Sequence, residues 1–179
     1  GSLYAGFDGM DLNGNDIDIR ILGSVIGTTD ALELSGNNYA VTIAGFAQGG
    51  TDGIEMQGDG SNITVTGELH GVRRGIDLSG TGNIIYNSGV ITGENFGIDL
   101  FGDNQNLTND GIIVGGFGLS GTTNMTKIAN AGTMTGSQSG FSIVGNGNEF
   151  INTGTLNGPN AGLSFVMTGA NALLRNSGD

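Results

Sequence analysis

The sequence predicts an all-β fold: a single-stranded parallel β-helix, or β-solenoid, of about eight coils, each with 22 residues and three short strands. Three observations predict it. A pattern of Gly, aliphatic residues and Asn returns at a fixed spacing along the chain. Within each unit, apolar residues alternate with polar ones over short runs. Glycines recur around those runs.

The register is set by the stretch Val72 to Gly93. With its residues numbered 1 to 22, it carries Gly75 at position 4, Ile76 at 5, Leu78 at 7 and Gly80 at 9. Ile85 follows at 14, Asn87 at 16, Gly89 at 18, Ile91 at 20 and Gly93 at 22. Units Glu94–Gly115 and Gly50–Gly71 match it position by position, and Thr28–Gly49 and Gly6–Gly27 also fit. Gly116–Gly136 is one residue short and Ser137–Gly158 is back in register. The last unit, from Pro159, has about two extra residues, placed around Val166–Ala170. A self-similar period of this length is the signature of a repeat architecture.

Each element has a local reason. Positions 5 and 7 are apolar around a polar 6, the two-residue period of a half-buried strand. Positions 14 and 16 repeat that pattern, and position 20 sits between polar or small neighbours. The glycines at 4, 9, 18 and 22 read as bends, some needing positive φ. No apolar stripe of helical period survives two turns. One such unit cannot bury its own apolar side, but a stack of them can. At ~4.8 Å per coil the stack is a rod of roughly 40 Å. Parallel crossovers are usually right-handed, so a right-handed coil is expected.

Composition bounds the rest. Glycine makes up 37 of 179 residues, but with a period, so residues 1–179 read as one folded domain without a linker. Net charge is −12 with five basic residues, which leaves no basic face for nucleic acid or an anionic membrane. No apolar run is long enough to span a bilayer, so no direct membrane insertion is expected. There is no cysteine, and the opening residues do not read as a signal peptide, so a mature or excised segment is expected. Neither end carries a polar cap. The expected partner is therefore the chain itself, either as a segment of a longer solenoid or as copies stacked end to end.

In a solenoid the neighbours of a residue are the same position one coil above and below, so function is sought in columns. Position 16 runs Ile21, Ile43, Val65, then Asn87, Asn109, Asn130, Asn152 and Asn176. The asparagines read as a structural hydrogen-bonded ladder. Position 6 runs Asp11, Glu33, Glu55, Asp77, Asp99, then Ser120, Ser142 and Ser164. Position 3 opens with Asp8, Asp30 and Asp52 before Arg74. Like charges stacked on adjacent strands repel. Oxygen ligands so arrayed suit a hard cation, Ca²⁺ above all, with Asp11, Asp30, Glu33, Asp52, Glu55, Asp77 and Asp99 as candidate ligands. The plainer reading is a solvated acidic face that confers solubility.

Glu68, His70, Arg73, Arg74 and Asp77 form the only group that joins a histidine to two arginines. Acid–base catalysis or saccharide binding would use such groups. The structural reading, Arg74 over Asp52 and Arg73 offsetting nearby carboxylates, is preferred. Phe96, Phe101 and Phe117 fall at or near the surface as an aromatic patch for a surface glycan or a partner. Phe141, Phe150 and Phe165 fall on core positions, and Tyr86 faces outward. Thr133-Met134-Thr135 and Thr155-Leu156-Asn157 suggest a flat threonine array that would suit ice. Asn62, Asn106 and Asn124 begin glycosylation sequons.

The units GIDLSGTGNIIYNSGVITG and GIDLFGDNQNLTNDGIIVG resemble repeats in β-solenoid stretches of large bacterial surface proteins, namely autotransporter passenger domains and haemolysin-type calcium-binding secreted proteins. The resemblance implies an extracellular or outer-surface location in a Gram-negative bacterium and a role as stalk, adhesin or filament. The expected function is thus non-enzymatic and structural or adhesive, with Ca²⁺ as the one cofactor considered. A polysaccharide lyase or glycosidase using Asp77 and Asp99, helped by Arg73 or Arg74, is the first alternative. Ice binding is the second.

Overall fold

A computed structural model of the chain, which describes residues 1–159 and 165–179, is a β-solenoid of about 8 turns with about 22 residues per coil. After β1 (Ser2–Ala5), strands come in threes: β2 (Met10–Asn13), β3 (Asp18–Ile21) and β4 (Ser24–Gly27), then β5 (Leu32–Ser35), β6 (Ala40–Ile43) and β7 (Phe46–Gly49). The next two coils hold β8 (Asp52–Gln57), β9 (Asn62–Val65) and β10 (Glu68–Gly71), then β11 (Arg74–Ser79), β12 (Ile84–Asn87) and β13 (Val90–Gly93). The rest are β14 (Phe96–Phe101), β15 (Asn106–Asn109), β16 (Ile112–Thr122), β17 (Lys127–Asn130), β18 (Thr133–Val144), β19 (Glu149–Asn152), β20 (Thr155–Asn157), β21 (Phe165–Thr168) and β22 (Leu173–Asn176).

Each coil thus lays one strand on each of three walls, and every strand pairs in parallel with its counterpart one coil away. The second wall is the eight-stranded sheet β3-β6-β9-β12-β15-β17-β19-β22. The first wall (β2, β5, β8, β11, β14) and the third (β1, β4, β7, β10, β13) join through β16 into one sheet.

The alternation in sequence decides which side chains point inward. In one coil Ile54, Met56, Ile63, Val65 and Leu69 are all buried, from positions 5, 7, 14, 16 and 20. All but Val65, which meets Asn87 in the coil above, stack on an aliphatic residue above and below, as Ile76 does between Ile54 and Ile98. Full burial of such a side chain contributes about 1.5–3 kcal/mol. Phe141 and Phe150 stack across the core with centroids 4.1 Å apart, and Phe165 lies against both.

The corners correct the sequence reading in three places. First, the position-4 glycines Gly53, Gly75 and Gly97 lie inside β8, β11 and β14 and not at bends. A Cβ on Gly75 would sit 2.5 Å from Ile91 Cγ2, so the missing side chain lets the first wall approach the third. Positive φ falls at position 9, as the sequence reading allowed, and at position 11, which it did not single out. Position 11 is left-handed in every coil: Asp16, Asn38, Gly60, Gly82, Asn104, Met125, Gly147 and Asn171 have φ between 54° and 71°. Second, the residue missing from Gly116–Gly136 is lost at the corner between Gly115 and Phe117, where the ladder shifts register. The third-wall strand runs straight on into the next first-wall strand as β16, and β18 does the same across a corner of ordinary length. Third, the last coil changes register between Asn157 and Phe165, upstream of Val166–Ala170: Thr155 pairs with Thr133, but Phe165 already pairs with Phe141. Ser164, the last serine expected in column 6, lies outside the described residues.

Candidate functional site

The charged groups gather on the first wall and at the corner before it. Ladder register places Asp11, Glu33, Glu55, Asp77 and Asp99 in one column, followed by Ser120 and Ser142. Beside it, Asp52, Arg74, Phe96, Phe117 and Ser139 stack in the position-3 column.

The lower part of that second column is a hydrogen-bonded chain. The Asp30 backbone N–H donates to Asp8 Oδ1 at 3.0 Å, and the Asp52 N–H donates to Asp30 Oδ1 at 2.8 Å. Asp8 and Asp30 therefore each satisfy a corner amide of the coil above, and Asp52 is met by the Arg73 guanidinium, so Asp30 and Asp52 are buried despite their charge. Burial pushes the Asp30 carboxyl up to about 6; the Asp52 amide opposes the shift, and repulsion from Asp52, Glu55 and Asp8 adds to it. Glu33 is raised as well, first by burial and then by Asp8.

Two overlapping groups bring carboxylate oxygens within 4.8 Å of one another: Asp8, Asp30 and Glu33, and Asp30, Asp52 and Glu55. Three anionic oxygens at that separation fit a hard divalent cation. Asp8 belongs to the first group although the sequence reading placed it in the column without naming it as a ligand. Asp11 stands exposed at the lower end of the position-6 column.

Higher up, arginines neutralise the strip. Arg73 forks onto Asp52, with Nε–Oδ1 at 3.2 Å and Nη2–Oδ2 at 2.5 Å, and this pairing raises the Arg73 pKa. Arg74 takes the column position of the aspartates below it. Its Nη1 donates to Asp77 and lies 3.6 Å from Asp52, while its Nε faces Asp99 at 3.2 Å. That Nε is buried and meets Asp99 outside good hydrogen-bond alignment, so the contact is mainly coulombic. The Asp99 carboxyl is pushed up to about 6 because burial outweighs the attraction of Arg74; Asp77 is raised for the same reason. Asp52, Asp77 and Asp99 are thus held in ion pairs, and Asp8, Asp11, Asp30, Glu33 and Glu55 are the carboxylates of the strip left without a cationic partner among the described residues.

The three surface aromatics do not form one patch. Phe96 and Phe117 stack at 5.5 Å, and Arg74 lies over Phe96 at 5.8 Å. Phe101 lies at the far end of its strand between Ser79 and Thr122. The His–Arg group also divides: His70 contacts Glu68, Thr92 and Phe46 on the third wall, whereas Arg73 and Arg74 serve the strip. Thr133, Thr135 and Thr155 stand partly exposed on that same wall. Asn62 and Asn106 are exposed on the second wall, while Asn124 is tied to Asp103 and Asn146, with Thr126 buried.

The asparagine ladder is present. Nδ2 of Asn87, Asn109, Asn130 and Asn152 donates to Oδ1 of the asparagine in the next coil at 2.6–2.7 Å, ending on Asn176. Two more ladders were missed. At position 12, Ser61, Asn83, Gln105, Thr126 and Asn148 each accept a buried backbone N–H from the coil below. At position 10, Asn15, Asn37, Asp59, Asp103, Asn124 and Asn146 accept one from the coil above. Both were visible as polar runs, Ser61 to Asn148 at position 12 and Asn15 to Asn146 at position 10. The buried Tyr39 was also missed; its hydroxyl meets the Leu12 and Ser35 carbonyls.

Comparison with protein-family models, with curated proteins and with solved structures found no match.

Proposed function

We propose that this chain is a non-catalytic structural or adhesive rod of a bacterial extracellular or cell-surface protein. The observation that carries the reading is the unbroken stack. Corners are short, coils differ by substitution more than by insertion, and three side-chain ladders run along the axis. Such a body resists bending and presents long flat walls, which suits spacing and display. An antibody against the folded chain is expected to label intact cells of the organism that makes it. Labelling only after permeabilisation would overturn the reading.

The unpaired Asp8, Asp30 and Glu33 enter this proposal as the place where extracellular Ca²⁺ would stabilise the lower coils. Titrating calcium after EDTA, at fixed ionic strength, is expected to raise the melting temperature saturably. At a hundred times Kd the gain is about 2.7 kcal/mol. Asp30→Asn should remove it. An equal response to magnesium, or none, would reduce the strip to a solvated face.

A further inference from the structure

The third wall carries a cluster that a structural rod does not need. Glu68 and His70 alternate on β10, and the parallel ladder stacks His70 directly on Thr92 of β13. His70 Nδ1 lies 2.5 Å from Thr92 Oγ1, and His70 Nε2 lies 3.4 Å from Glu68 Oε2. One tautomer uses both contacts: Nε2–H donates to Glu68, and the Nδ1 lone pair accepts from the Thr92 hydroxyl. The Phe46 ring packs on the imidazole with centroids 5.3 Å apart and helps hold its plane. An open groove of about 360 Å³ runs past the cluster, bounded by Phe46, Gln48, His70, Val72, Thr92 and Glu94. A hydroxyl, a base within hydrogen-bond reach and a carboxylate that orients the base make an activated nucleophile.

We propose that Thr92 is a reactive hydroxyl that accepts acyl groups from activated esters. Thr92 Oγ attacks the acyl carbon while its proton passes to His70 Nδ1. The bond from that carbon to the leaving oxygen then breaks, the alcohol or phenol departs, and an ester remains on Thr92. No oxidant or reductant is involved. The chemistry stops there for a structural reason. β13 is paired on both sides, with β10 and with β16, so its backbone N–H groups are committed to ladders and do not form a cradle for a developing oxyanion. That lack slows acylation and hydrolysis alike, but the incoming ester has an activated leaving group and the Thr92 ester has only an alkoxide, so hydrolysis is the slower step and the adduct accumulates. Thr92 is a modification site and not the centre of a turnover enzyme. The inference is independent of the rod reading.

The test uses p-nitrophenyl acetate with the full chain. Expected is a stoichiometric release of p-nitrophenolate and an acetyl group mapped to Thr92 by peptide mass spectrometry. Thr135 is the internal control: it occupies the same column but stacks on Val114 and Asn157 and has no imidazole beside it. Thr92→Val should abolish the adduct. His70→Gln should slow it about 100-fold, and Glu68→Gln several-fold. All three side chains point outward, so the core is undisturbed. Labelling of Thr92 no faster than Thr135, or at an unchanged rate in both the His70 and Glu68 variants, would overturn the proposal.

Discussion

Coils 1–3 and coils 4–8 fill the same column in opposite ways. Below, position 16 is Ile21, Ile43 and Val65; above, it is Asn87, Asn109, Asn130 and Asn152, and both sets are buried. The two solutions meet where Val65 pairs with Asn87. With no amide below it, Asn87 Oδ1 accepts the Gly89 N–H of its own turn at 3.2 Å. Charge divides in much the same sense. Residues 1–71 hold ten of seventeen acidic groups against one of five basic ones, and the rest hold seven against four. The comparison teaches that the coil requires an inward side chain that stacks on its own kind. It does not require that side chain to be apolar, provided every donor and acceptor is used.

The largest expected effect follows from that condition. Asn109→Ala removes two ladder bonds and strands buried groups on Asn87 and Asn130, at a cost of about 2–4 kcal/mol by urea denaturation. Replacing the whole ladder by valine, in the manner of the lower coils, should cost far less than the sum of the single changes, because no partner is left unpaired. A summed loss would break the comparison.

Next comes the charge strip. Asp30 and Asp99 titrate near 6 in the folded chain against 3.8 when unfolded, so between those values the folded state binds more protons. Stability should therefore rise as pH falls from 7.5 towards 4, and the melting temperature should follow. Asp30→Asn should flatten the profile. Arg74→Met should lower stability by roughly 2–3 kcal/mol at pH 7.5, since it leaves Asp77 and Asp99 without their cation, and part of that loss should return at pH 5. A profile that falls with acid would show that the pairing, and not the burial, governs these groups.

The smallest effect sharpens the corner. Met125 occupies the left-handed position at φ 54°, where other coils place Gly, Asn or Asp. Met125→Asn should stabilise by about 1 kcal/mol and raise the melting temperature by roughly 2–4 °C.

Period, strand alternation and the Asn column were legible because they are carried by residue types recurring at fixed intervals. The left-handed position was not. Gly60, Asn104, Asp16 and Met125 share a backbone conformation, not a composition. The extra residues of the last coil were misplaced because a count along the chain admits several insertion points, and only strand pairing chooses among them. Stacking of Arg74 over Asp52 followed from the register. Its reach to Asp77 and Asp99 did not, since that depends on where a long side chain turns. The split of Phe101 from Phe96 and Phe117 needed the length of a strand.

The ladders also have a direction. Along the Asn column each coil donates an amide to the coil that follows it in the chain, and at position 10 each coil offers an oxygen to the amide of the one that follows. A coil already in place thus presents both halves of the pattern that its successor must complete, and nearly all pairing spans a single repeat. Order can then advance as a front from the first coil synthesised, without waiting for distant parts of the chain. A defect would stall that front locally and leave intact everything stacked before it.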